Sequence, residues 1–182
     1  VAAGRAGKGG AAVTERALLL AALVAASGCG GPAAAPTPAI QTVDLTGLQV
    51  WLKAQRGNPV LLNYWATWCG PCVAELPDLL ASTREFRAAG GIVAGVALEL
   101  VVPNVTVEQA QVKVADKARE LGLDFPLLLC TADDLIAARE ALGIDLGALP
   151  QTFAYDRSGA LVEQHEGIAT REQFAALARA VQ

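Results

Sequence analysis

The sequence predicts an α/β fold, a central mixed sheet flanked by helices, and three observations carry that expectation. Apolar runs of strand length alternate with segments of helical period. Two late strands bracket a four-residue turn, a hairpin signal that adds an antiparallel edge. With 53% apolar and 18% charged residues among 182, the chain has the material for a buried core.

The elements follow in order. Val60-Leu61-Leu62-Asn63-Tyr64-Trp65 is almost continuously apolar, as in a strand covered on both faces. A helix is expected from about Cys69 to Ala88, kinked at Pro77 and ended by Gly90-Gly91. Ile92 to Leu98 reads as the next strand. Thr106-Val107-Glu108-Gln109 has the form of a capping box. It opens a helix with Val107, Ala110, Val114, Ala118 and Leu121 on one face, closed by Gly122. Pro126 to Cys130 is a third buried strand. A short helix is expected from Asp133 or Asp134, stopping at Gly143. Thr152 to Tyr155 and Ala160 to His165 flank the turn Asp156-Arg157-Ser158-Gly159. Thr170-Arg171-Glu172-Gln173 is a second capping box, opening a last helix with Phe174, Leu177 and Val181 inward. The order is β-α-β-α-β-α-β-β-α, without internal repeats.

Residues 1–28 read as an export signal. Arg5, Lys8 and Arg16 precede the apolar stretch 17–26, whose ten residues fall short of the roughly 20 that span a bilayer. Ala26-Ser27-Gly28-Cys29 resembles a bacterial lipobox, which implies lipidation of Cys29 at the start of the mature protein. The alternative is ordinary cleavage nearby, leaving Cys29 as an odd thiol. Gly, Pro, Ala and Thr then make 29–39 a tether, and 40–182 is the expected folded domain. The net charge is −4, and from Cys29 onward 11 basic and 17 acidic residues remain. No basic block is present for nucleic acid. An acidic domain gains nothing from anionic lipid, so any hold on a membrane falls to the anchor.

Cys69-Gly70-Pro71-Cys72 stands where a strand gives way to a helix. A helix N-terminus carries about half a positive charge and unpaired N–H groups. A thiolate there is stabilised, and its pKa falls below the free value of about 8.5. The thiolate is the nucleophile of disulfide exchange. Cys69 is thus the expected exposed, attacking thiol and Cys72, inside the first turn, the buried resolving one. Half of a zinc site is the competing reading, but Cys29, Cys130 and His165 are the only further Cys or His ligands, at spacings that match no zinc pattern. No metal and no cofactor is expected.

Trp65-Ala66-Thr67-Trp68-Cys69-Gly70-Pro71-Cys72-Val73-Ala74-Glu75-Leu76-Pro77 resembles the active-site stretch of membrane-tethered bacterial thioredoxin-like proteins, the TlpA and ResA group. The likeness extends over residues 43–182. It implies a thioredoxin-like fold with an insertion between the active-site helix and a cis-proline loop. It further implies a thiol–disulfide oxidoreductase of the cell envelope, reducing protein disulfides and recharged by a membrane thiol relay. Ala148-Leu149-Pro150-Gln151-Thr152-Phe153 resembles the family's cis-proline loop, so Leu149 and Pro150 join Trp68, Gly70 and Pro71 as expected substrate contacts. Glu75, one turn after Cys72, matches an acidic residue of the group. Asn63 stands where cytosolic thioredoxins carry a buried Asp, which makes Glu75 the candidate proton-handling acid; a solvent-facing helix Glu is the alternative. Trp65 and Trp68 read as packing around the site, Cys130 as apolar filler and His165 as a half-exposed structural residue. Two other functions compete: a thiol peroxidase, which would use a lone Thr-x-x-Cys, and a copper chaperone holding metal between soft thiolates.

Overall fold

The computed structural model describes residues 38–132, Glu140 and 148–182. The expected signal, Cys29, nearly all of the tether and the short helix after Ala132 lie outside the described residues. The described chain runs β1 (Ile40–Val43), α1 (Leu45–Ala54), β2 (Val60–Trp65), α2 (Gly70–Ser82), α3 (Arg84–Ala88), β3 (Ile92–Ala97), a 3-10 turn (Glu99–Val101), α4 (Val107–Leu121), β4 (Leu127–Cys130), β5 (Gln151–Tyr155), β6 (Leu161–Glu166) and α5 (Arg171–Ala180).

The six strands form one sheet in the order β1-β4-β3-β2-β5-β6. β1, β4, β3 and β2 are parallel, while β5 and β6 close the sheet antiparallel. This is a thioredoxin fold. The expected insertion corresponds to the stretch after β3, which supplies α4 and places β4 between β3 and β1.

Side chains alternate across the sheet and divide the core into two layers. Leu61, Trp65, Val93, Leu127, Leu129 and Ala154 face α2, α4 and α5. Leu62, Tyr64, Val96, Leu128, Phe153 and Tyr155 face α1 through Leu48, and Tyr64 meets Phe153 edge-on at 5.3 Å. Gly95 permits this packing on the first face. A Cβ there would stand 2.9 Å from Trp65 Nε1 and 2.9 Å from Leu127 Cδ2.

The sequence reading missed β1 and α1. β1 is short and half exposed, and Gly47 interrupts α1, so neither carries a strong period. The available signal was Asp44, whose carboxylate caps the helix by accepting Gly47 N–H at 2.6 Å. The single helix expected up to Ala88 is two. α2 runs unbroken through Pro77 and ends at Ser82, where Ser82 and Thr83 hydroxyls both donate back to main-chain carbonyls of the preceding turn, on Asp78 and Leu79. Such bonds bend and end helices. Both capping boxes form, with Thr106–Gln109 and Thr170–Gln173 each making the reciprocal pair. Gly122 takes the left-handed conformation that ends α4.

Candidate active site

All four parallel strands end on one edge of the sheet. There β2 leads through Ala66, Thr67 and Trp68 into α2. Cys69 is the N-cap: its backbone is extended and its N–H donates to Ala66 O at 3.2 Å. Pro71 sits in the first turn, where a missing N–H costs nothing. Cys69 and Cys72 are joined in a disulfide. Cys69 Sγ accepts Cys72 N–H at 3.3 Å, one of the otherwise unsatisfied donors of the helix end. Cys69 shows only 7% of its surface, less than the exposed thiol expected, and Cys72 shows none. Trp68 beside them is 48% exposed.

The Leu149–Pro150 peptide is cis. Because Tyr64 pairs with Gln151 across the antiparallel β2–β5 ladder, this loop lies beside the exit of β2. The Pro150 carbonyl accepts Gly167 N–H at 2.9 Å, which ties this loop to the segment after β6. Leu149 is half buried and packs against both core layers.

Glu75 is not a solvent-facing helix residue; it is 2% exposed. Its Oε1 accepts Asn63 Nδ2–H at 2.8 Å and its Oε2 accepts Ala169 N–H at 2.8 Å. The carboxylate thereby joins α2, β2 and the segment leading into α5. Burial pushes its pKa above the ordinary carboxylate value, while the Ala169 N–H, the Asn63 amide and the charge of His165 pull it back. Asn63 and Thr152 are direct cross-strand partners, and Asn63 Nδ2 also donates to Thr152 Oγ1 at 2.9 Å.

A second buried carboxylate was not foreseen. Glu99, 1% exposed, closes on the loop before the cysteines. Its Oε1 accepts Thr67 N–H at 2.5 Å and its Oε2 accepts the Thr67 hydroxyl at 2.9 Å. The signal lay in the sequence as a lone charge inside the apolar run Val96 to Val102.

Cys130 is 1% exposed, with a free thiol whose pKa burial raises. It belongs to the core layer facing α1, whereas Cys69 and Cys72 belong to the layer facing α2. His165 on β6 is half buried, with Nε2 3.3 Å from Ile168 O.

Residues 33–164 match the model of the AhpC/TSA family. Thiol-disulfide oxidoreductase ResA of Geobacillus thermodenitrificans (strain NG80-2) is 32% identical over 131 residues, which cover 72% of this chain and 67% of that protein. The protein of the same name from Bacillus thuringiensis (strain Al Hakam) is 28% identical over 137 residues, 75% of this chain and 71% of that one. Among solved structures, a thioredoxin-family thiol:disulfide interchange protein from Chlorobium tepidum TLS shares the fold. Its TM-score is 0.55 at 22% identity, over 83% of this chain and 98% of that one.

Proposed function

On the premise that the chain belongs to the AhpC/TSA family, among its ResA-type extracytoplasmic thiol–disulfide oxidoreductases, we propose that it is a reductase of protein disulfides in the cell envelope, tethered through a lipidated Cys29. The single observation behind the catalytic assignment is the helix end: Cys69 Sγ accepts a main-chain N–H there, and Cys72 is fully buried behind it.

In the reduced protein the Cys69 thiolate attacks a sulfur of the target disulfide and displaces the other target sulfur as a thiolate. Cys72 then loses its proton and attacks Cys69 Sγ in the mixed disulfide. That releases the second target thiol and leaves the Cys69–Cys72 bond described above. Two electrons pass to the target, which takes up two protons. Glu75, one turn from Cys72 and buried, accepts the Cys72 proton in this scheme. In the same scheme Trp68, Gly70 and Pro71, the sequence neighbours of the thiols, and Leu149 and Pro150, in the loop beside the exit of β2, contact the target chain. A membrane thiol relay returns the protein to its dithiol state. Closure of the disulfide between residues one turn apart supports a dithiol cycle over a peroxidase built on one thiol.

The direction follows from the linker. Gly-Pro is the dipeptide of thioredoxin, at about −270 mV, against about −120 mV for the periplasmic oxidant. At 30 mV per 1.4 kcal/mol, that gap is roughly 7 kcal/mol. Equilibration of the Cys pair against a dithiothreitol series tests the reading. A midpoint more oxidising than about −180 mV, the level of disulfide isomerase, overturns it. Cys72→Ser should trap mixed disulfides, and Cys69→Ser should not. Cys29→Ala should abolish partition into detergent; a variant that stays membrane-bound removes the anchor.

A further inference from the structure

Asn63 offers one amide atom to both of its partners. Its Nδ2 donates to Glu75 Oε1 at 2.8 Å and to Thr152 Oγ1 at 2.9 Å, while its Oδ1 is buried with no partner among the described residues. Asn63 is 0%, Thr152 1% and Glu75 2% exposed, so bulk water does not enter this exchange. The other Glu75 oxygen is committed: Oε2 accepts Ala169 N–H at 2.8 Å.

That commitment decides where a proton would sit. The oxygen facing a fixed N–H stays the carbonyl end of a protonated carboxyl, so the hydrogen goes on Oε1. There it meets the Asn63 N–H, donor against donor. The two ends of a side-chain amide have nearly the same shape, and a half-turn replaces the donor with an acceptor. Thr152 accommodates either end, because a hydroxyl both donates and accepts.

We infer that Asn63 is a positioning residue whose amide turns over with the proton on Glu75. It directs N–H toward Glu75 and Thr152 when the carboxylate is charged, and C=O toward both when it is protonated. The inference rests on the proton-handling role proposed for Glu75 and deepens it. Glu75 keeps a partner in both states, and a proton moves to or from buried Cys72 with no backbone rearrangement. A charged Asp at position 63 accepts only, and would serve the protonated state alone. Of the ionisable groups, His165 from β6 acts on Glu75 through its charge, while Cys72 and Asp78 stand one turn before and after it along α2, Asp78 paired with Arg171 of α5. Burial carries the Glu75 titration above the ordinary carboxylate range.

The test is NMR on the isotope-labelled full chain, titrated from about pH 4 to about pH 8, which brackets a raised carboxyl. The Glu75 carboxyl carbon reports its proton, and cross-relaxation between the Asn63 amide hydrogens and the Thr152 methyl reports the amide. Above the Glu75 midpoint these cross-peaks should be present, and below it they should vanish with the same midpoint. Cross-peaks that persist through the titration overturn the inference, as does a Glu75 signal without an inflection. Failure of the Glu75 role itself registers elsewhere, as a thiol titration that Glu75→Gln leaves unchanged.

Discussion

The grip of Glu99 on Thr67 can be measured as a coupling. Thr67→Val keeps the side-chain shape and removes only the hydroxyl that donates to Glu99 Oε2 at 2.9 Å. A hydrogen bond to a charged group contributes about 1.5–3 kcal/mol. The carboxylate is 1% exposed, so solvent does not replace the lost donor. The expected cost is therefore about 2 kcal/mol, a large part of a net stability of roughly 5–15 kcal/mol. In a Glu99→Ala background the hydroxyl has no acceptor to lose, and the same substitution should cost under about 0.5 kcal/mol. Glu99→Gln should fall between, because the amide N–H can donate to Thr67 Oγ1 while the amide oxygen still accepts Thr67 N–H. Urea unfolding of the oxidised protein gives each value, with an unchanged slope confirming that stability alone has moved. A Thr67→Val penalty equal in both backgrounds refutes the clamp. The same variants, reduced and alkylated, show whether a loosened loop alters Cys69 reactivity two residues on.

Other outcomes follow from burial and packing. Burial raises the Glu75 carboxyl, so ionising it opposes folding. That penalty is absent below the ordinary value of about 4.3 and grows as pH rises through the raised folded value. Relative to the parent, Glu75→Gln should therefore gain stability between about pH 4 and pH 8; a difference independent of pH contradicts this. Gly95→Ala forces a methyl to 2.9 Å from Trp65 Nε1 and Leu127 Cδ2 and should cost about 1–3 kcal/mol, read as a lowered Tm. An unchanged Tm would mean that the indole shifts freely. Cys130→Ala should keep insulin-reducing activity and cost about 1 kcal/mol. A mass-spectrometric disulfide between Cys130 and either active-site cysteine would defeat the filler role.

Local chemistry made much of this molecule readable in its sequence. The β2 run, both capping boxes, the Gly122 stop and the Asp156–Gly159 turn are each decided by residues within a few positions of one another. So is the cysteine pair, since a helix N-terminus and a two-residue spacer suffice to place it. What escaped depends on distant partners. The hydroxyls that end α2 look like ordinary surface residues until they turn back on their own helix. Glu99 is 32 residues from Thr67, and nothing beside it announces that the chain returns there. The hydrogen bond of Glu75 to Ala169 spans 94 residues. The acid was visible in the motif, but its burial was not, because the segment covering it comes from the far end of the domain.

The division of the core by the sheet bears on how turnover must finish. A thiol is a promiscuous leaving group, and a third cysteine within reach of a mixed disulfide offers an internal detour. The chain could then trap itself, the target released in its reduced form but the protein left holding a disulfide between the wrong pair of cysteines. Here the sheet stands as a partition: Cys130 lies behind it, and the reactive pair lies in front. Among the described cysteines only Cys69 and Cys72 share a layer, so the proposed cycle resolves by closing the bond between them. The sheet that scaffolds the site thereby also keeps its bookkeeping of electrons honest.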